Sequence, residues 1–425
     1  MYLRRTMRHV VHVPSAVALF AALTLLGQGC FFLDDDFEDP VSAESPRINP
    51  CDIVSVSCQQ WTLDWVELER ESTSGRLPSV RVVSEEEFAA KVQPSMTPPN
   101  MEASNFETIM RLLGVAPQNQ SLEEATAMDS AMNVAARYYP DEDEVLVVAR
   151  ESMDPRLAVI VLAHELVHAL QDQEGAFELE PSALDARVSY RAAVEGEASY
   201  YELRVGRSLG WYDLEDGQWD SLLDDWTERV RSDVADSSWP MLAASRWLPY
   251  PLGTRWVLEL FRSGGDAAAR EAVRNFPNHS RELLFDDEPN ARSELREVQC
   301  PLGSPFDGLT ELEGEPLGRL LVWAFLQAYL SEDWLAWLSA AHLESDRIHL
   351  FEEPNTGARV LGWRMRFEDS ALAQDISTEL REQRQSWHVA RWGDELQIVV
   401  SSDESVFHDW VAPDDASPCP VGDDS

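Results

Sequence analysis

Two histidines four residues apart, His164 and His168, lie inside the apolar stretch Ala158 to Leu170, which is broken by one charge, Glu165. A run of that length is a helix, and Asp154 as N-cap with Pro155 at the first helical position supplies its start. On a helix, residues four apart project from one face about one turn from each other, so a single metal ion can take both imidazoles. Zinc suits neutral imidazole nitrogens, and a catalytic zinc site keeps one position open for a water whose pKa the metal lowers towards ~7. Glu165, next to the first histidine, is placed to take that water's proton and deliver it to a leaving group. The competing reading is an ordinary buried helix with two satisfied histidines, which the flanking Val161, Leu162, Leu166 and Leu170 would also fit.

A third protein ligand is required. The helix expected over about Ser182 to Leu209 offers Glu195, Glu197 and Glu202. Glu195 is the expected ligand. Glu197 falls on roughly the opposite side of that helix, and Glu202 comes two turns after Glu195, where it suits a role behind the ligands. A solvated helix face is the expected setting of both Glu197 and Glu202. Asp172, four after His168, is expected either to accept the other ring proton of a ligand histidine or to lie in solvent.

The rest of the chain reads as mostly helical α+β. Helices are expected over Ser84 to Val92, Asn105 to Leu113, Leu122 to Ala135, much of Trp219 to Phe261, Leu317 to Leu330 and Ser370 to Gln385. Arg137 to Ala149 reads as a hairpin, and Trp387 to Ser401 as a second one turning at Gly393-Asp394. Trp363, Trp387 and Trp392 are either groove-lining or, as tryptophans at strand spacing usually are, core.

Arg4, Arg5 and Arg8 precede an apolar run from Val17 to Leu26, too short to span a bilayer, and read as an export signal. Leu26-Gly27-Gln28-Gly29-Cys30 resembles a bacterial lipoprotein signal, which implies a lipid on Cys30; cleavage by an ordinary signal peptidase is the alternative. The segment from Phe31 to Pro50, rich in Asp, Pro and Ser, reads as a tether. The expected division is 1–29 signal, 30–60 acidic tether, 61–300 catalytic domain and 301–425 C-terminal α+β subdomain. Four further cysteines suit an oxidising compartment, with Cys51–Cys58 and Cys300–Cys419 the favoured two of three possible pairings. A balance of 76 acidic against 34 basic residues gives a formal charge of -42, which repels phosphate backbones and argues against nucleic acid as a partner.

His164-Glu165-x-x-His168 with a later glutamate in a Glu-Gly-x-Ala setting resembles the gluzincin metallopeptidases, in which such a glutamate binds zinc. His168-Ala169-Leu170-Gln171-Asp172-Gln173 together with Val194-Glu195-Gly196-Glu197-Ala198 is similar to a family of largely uncharacterised bacterial metallopeptidase-like proteins. The likeness extends to Val134 through Pro140, to Pro249-Tyr250-Pro251-Leu252-Gly253 followed by Gly264-Gly265, and to Ala340 through Arg347, and it weakens at Pro277 to Leu284. The resemblance implies a zincin-like core with a small antiparallel sheet, Zn2+ on His164, His168 and Glu195, and hydrolysis of a peptide or protein substrate. It also points to Tyr250 as donor to the developing oxyanion, with Tyr138 and His279 as alternatives. A lipid-anchored monomer at the bacterial cell envelope or outside the cell is expected. The rival reading is a cell-surface lipoprotein that uses the same fold for binding or scaffolding without catalysis.

Overall fold

A computed structural model describes residues 48–72, 75–91, 103–149, 153–283, 306, 308–384 and 386–407. The elements in chain order are α1 (Val56–Arg70), β1 (Ser79–Val83), α2 (Glu85–Lys91), α3 (Ala103–Leu112), α4 (Leu122–Asn133), β2 (Ala136–Tyr139) and β3 (Glu144–Val148). Five helices follow: α5 (Pro155–Gln173), α6 (Leu184–Ser208), α7 (Trp219–Asp236), α8 (Pro240–Trp247) and α9 (Pro249–Arg270). The remainder is β4 (Thr310–Glu315), α10 (Arg319–Gln327), α11 (Asp333–Ala341), β5 (Leu343–Glu352), β6 (Arg359–Phe367), α12 (Ser370–Gln383), β7 (His388–Trp392) and β8 (Glu395–Ser401). The class is α+β with helix dominant, as the sequence led us to expect.

The first sheet has the order β1-β3-β2. Its β2–β3 hairpin is antiparallel, but β1 runs parallel to β3 with Ser79 opposite Glu144 and Val83 opposite Val148. The sheet is therefore mixed rather than antiparallel. β3 is central and apolar on both faces: Val145 and Val147 join the main core, while Leu146 and Val148 pack with Val83 and Phe88 beneath α2. A strand buried on both sides reads as a continuous apolar run, which is how Val145 to Val148 reads.

α5 begins as expected, with the Asp154 carboxylate accepting from Arg156 N and Pro155 in the first turn. It is enclosed on nearly every side by α1, α6 and the first sheet. α6 crosses α5 and is itself covered by α9. Chain order thus delivers two long helices side by side in the interior, one carrying the histidines and the other the acids.

The second sheet, order β4-β5-β6-β8-β7, is antiparallel throughout. Trp363, which is fully buried, packs edge-on against Phe325 of α10 at 4.7 Å between ring centroids. One apolar cluster runs from Ile53 through α5, α6 and α10 to Val400, so both sheets share a core. Trp363 and Trp387 are buried in it, and neither they nor Trp392 line the cavity described below.

Several boundaries differ from the sequence reading. Helical structure starts at Val56, inside the stretch 30–60 expected as a tether. α9 runs on past Phe261 to Arg270 across a break at Gly265, whose φ of 70° only glycine adopts without strain. Cys51 and Cys58 form the expected disulfide. Cys30, Cys300 and Cys419 lie outside the described residues. No helix among the described residues is long and apolar enough to cross a membrane.

Candidate metal centre

The histidines of α5 meet Glu195 of α6 at the floor of a cavity of about 490 Å³. His164 Nε2 and His168 Nε2 stand 3.1 Å apart. Glu195 Oε2 lies 3.4 Å from the first and 3.3 Å from the second. Among the described residues these three donors converge as a group able to hold one metal ion.

The hydrogen bonds behind the donors fix which ring nitrogen faces the cavity. His164 Nδ1 lies 2.8 Å from Glu202 Oε2, a carboxylate oxygen that accepts, so Nδ1 carries a proton and a metal ion on Nε2 would meet the Nδ1–H tautomer. His168 Nδ1 lies 2.8 Å from Gln171 Oε1. The Gln171 amide nitrogen donates to Val194 O at 3.0 Å and to Glu197 Oε2 at 2.8 Å, which turns its oxygen towards the histidine. His168 is thereby held as the same tautomer, and both Nε2 atoms are available as ligands.

Glu197 continues the chain of contacts. It is fully buried and takes Arg70 Nε and Nη2 at 2.9 and 2.7 Å; Arg70 in turn grips Glu174 at 2.7 Å. α1 is so tied to α5 and α6 from behind the histidines. A buried charge needs such a partner. Glu197 and Glu202 are both interior, not on a solvated face. Asp172 does not reach a histidine; it accepts from Tyr138 Oη at 2.8 Å and holds β2 against α5.

Burial opposes a charge on His164, but the Glu195 and Glu202 carboxylates outweigh it and push the imidazole up to about 10. Burial likewise works against ionised Glu195, yet its contacts with His164 and His168 hold it well below the usual carboxylate range. Burial raises Glu202 and Glu197 despite their cationic neighbours. The pocket therefore calls for positive charge at the point where the three donors meet.

Glu165 is buried and lines the same cavity, and its Oε2 accepts the Tyr138 backbone N–H at 2.6 Å. That N–H points away from β3, because Tyr138 faces Val145 three pairs along from the hydrogen-bonded Ala135–Val148 pair, a non-hydrogen-bonded position of the antiparallel ladder, and β2 is an edge strand. The edge strand thus orients the carboxylate. The Tyr250 ring stacks on His164 at 6.0 Å and on Trp247 at 5.9 Å, and it borders the cavity. The alternatives fare differently. Tyr138 Oη is committed to Asp172 and Asp143, and burial with those acids drives its pKa upward. His279 pairs with Asp185 at 3.4 Å and does not line the cavity.

The sequence reading missed Gln171 and Arg70. Gln171 carried one signal, its place three residues after His168 on the same helical face; Arg70, 127 residues from Glu197, carried none. Comparison with protein-family models, curated proteins and solved structures gives no match.

Proposed function

We propose that the chain is a zinc-dependent peptidase with a zincin-like core, in which His164, His168 and Glu195 hold the metal. The observation that carries this reading is the donor triangle with sides of 3.1, 3.3 and 3.4 Å. Ligands about 2.0 to 2.1 Å from a tetrahedral zinc stand roughly 3.3 to 3.4 Å from one another, so the side chains need almost no rearrangement. Two neutral imidazoles, each backed by an acceptor on Nδ1, and one carboxylate are a donor set that suits zinc and leaves a fourth position open.

Bound there, zinc would polarise the scissile carbonyl and acidify a water. Glu165, oriented by the Tyr138 N–H, takes that water's proton on its carboxylate while the oxygen adds to the carbonyl carbon. The same carboxylate then gives the proton to the amide nitrogen as the C–N bond breaks, so the products are one acid and one amine. Tyr250, stacked on His164 at the cavity wall, is the hydroxyl we assign to the oxyanion. Arg191 Nη2 lies 3.6 Å from Glu195 Oε1 and steadies the ligand on its other oxygen. The Cys51–Cys58 disulfide supports an oxidising compartment, and with it the export proposed from the N-terminus.

The test is cleavage of a diverse peptide library by zinc-loaded wild type and by Glu165→Gln. Wild type is expected to cleave, and the variant to lose ~10²–10⁴-fold in kcat while keeping its zinc. Stoichiometric zinc with no cleavage of any peptide would overturn the peptidase reading in favour of a binding or scaffolding lipoprotein.

A further inference from the structure

The charge of the cavity runs against the charge of the chain. Acids outnumber bases by 76 to 34 overall. The cavity wall reverses this, with Arg137, Arg187, Arg191 and Arg246 against Glu165, Glu180 and Glu195. Two of those three glutamates sit at the floor with the histidines, and Glu180 is at the mouth in an ion pair with Arg187 at 2.6 Å. The arginines come from three separate elements, β2, α6 and α8, so no single helix face accounts for their gathering. A concave site in which arginines outnumber glutamates, set in a chain of the opposite balance, favours incoming ligands of negative charge. A cation at the donor triangle adds to the same sign.

We propose that the site selects substrates carrying a carboxylate close to the bond that is cut; this rests on the peptidase reading above. α6 sets the spacing. Arg191 and Arg187 precede Glu195 by four and eight residues on one helical face, or about 6 and 12 Å along the axis. An extended peptide advances roughly 3.4 Å per residue. The favoured carboxylate therefore lies about two to four residues from the scissile bond. Guanidinium groups hold carboxylates through paired N–H donors, and four of them line the cavity wall. The carboxylate can be an Asp or Glu side chain or the free C-terminus of a short peptide, and the two sources are separable.

The experiment measures binding, so it needs no turnover. Zinc-loaded Glu165→Gln protein is titrated with fluorescent peptide pools that differ only in carrying Glu and Asp or Gln and Asn at each position, each pool made with a free and an amidated C-terminus. The acidic pool is expected to bind about tenfold tighter, with the preference weakening as salt rises. In Arg187→Gln, which leaves the metal donors untouched, the preference is expected to shrink several-fold; in Arg187→Gln/Arg191→Gln it should fall to within about twofold, both variants first being checked for zinc content. A preference that follows only the free C-terminus supports the proposal with the terminal carboxylate as the ligand. Equal binding of all pools, no binding of any, or a preference that survives loss of both arginines overturns it. Charge-selective binding without cleavage by wild type would sink the peptidase reading and leave the carboxylate site standing.

Discussion

Gly196 and Gly253 meet backbone to backbone where α6 crosses α9: a Cβ on Gly196 would lie 2.1 Å from the Gly253 carbonyl carbon, and one on Gly253 would lie 1.8 Å from the Ala192 carbonyl oxygen. Both distances are far inside contact, and the obstructing atoms are main chain, which cannot swing aside. The glycine after Glu195 and the glycine three after Tyr250 are thus two halves of one crossing. It brings the α6 ligand and the Tyr250 end of α9 to the same cavity.

Gly253→Ala should push α9 off α6 and move the Glu195 segment with it. Overpacking of this kind costs about 1–3 kcal/mol. Chemical denaturation should register that loss, and zinc titration should show weakened affinity in the folded variant. Unchanged zinc affinity would mean the crossing does not position the ligand.

The relay behind His168 makes a second, opposed pair of expectations. Gln171→Ala removes the Nδ1 acceptor and should lower zinc affinity by roughly 10–100-fold, as loss of such partners does elsewhere. Asp172→Ala, one residue on, breaks only the Tyr138 hydroxyl contact and should leave zinc affinity close to wild type. Competition with a chromophoric chelator separates the two; equal effects would contradict the relay.

That pair also shows where the sequence falls short. Gln171 and Asp172 follow His168 by three and four residues, so both lie on its helical face, and only the groups opposite decide which one turns to the ring. Val194 O and Glu197 hold the glutamine amide, and Tyr138 Oη holds the aspartate. None of those partners is near in sequence. The histidine pair, Glu165, the α5 cap and the hairpins were legible because spacing and local chemistry specify them. Glu197 read as a solvated face because its counter-ion, Arg70, belongs to a different helix and is tied to it by tertiary packing alone. β1 escaped notice for a similar reason: it pairs in parallel with β3 across more than sixty residues, and Arg81 interrupts its apolar pattern.

Asp346 gives a pH-dependent expectation away from the centre. Its carboxyl accepts from Leu317 N, Gly318 N and Trp363 Nε1, joining α10 to the second sheet, and burial nonetheless pushes it up to about 6, with Asp185 nearby adding to the rise. A folded pKa above the unfolded one means the native state binds the proton more tightly, so this residue costs stability as pH rises through that window and the cost is complete above about pH 6. Two pKa units correspond to about 3 kcal/mol as an upper figure. Denaturation of wild type and Asp346→Asn across pH 4 to 7 should show wild type gaining on the variant as pH falls. A difference that stays flat would place the ionisation elsewhere.

The most direct test of the metal centre is the zinc content of purified protein, stripped with chelator and reloaded, compared with His168→Ala and Glu195→Ala by elemental mass spectrometry. The account predicts about one zinc per wild-type chain and well under one in each variant, with all three folded. A wild type that retains no zinc, or variants that retain it as fully as wild type, would contradict a site built from His164, His168 and Glu195.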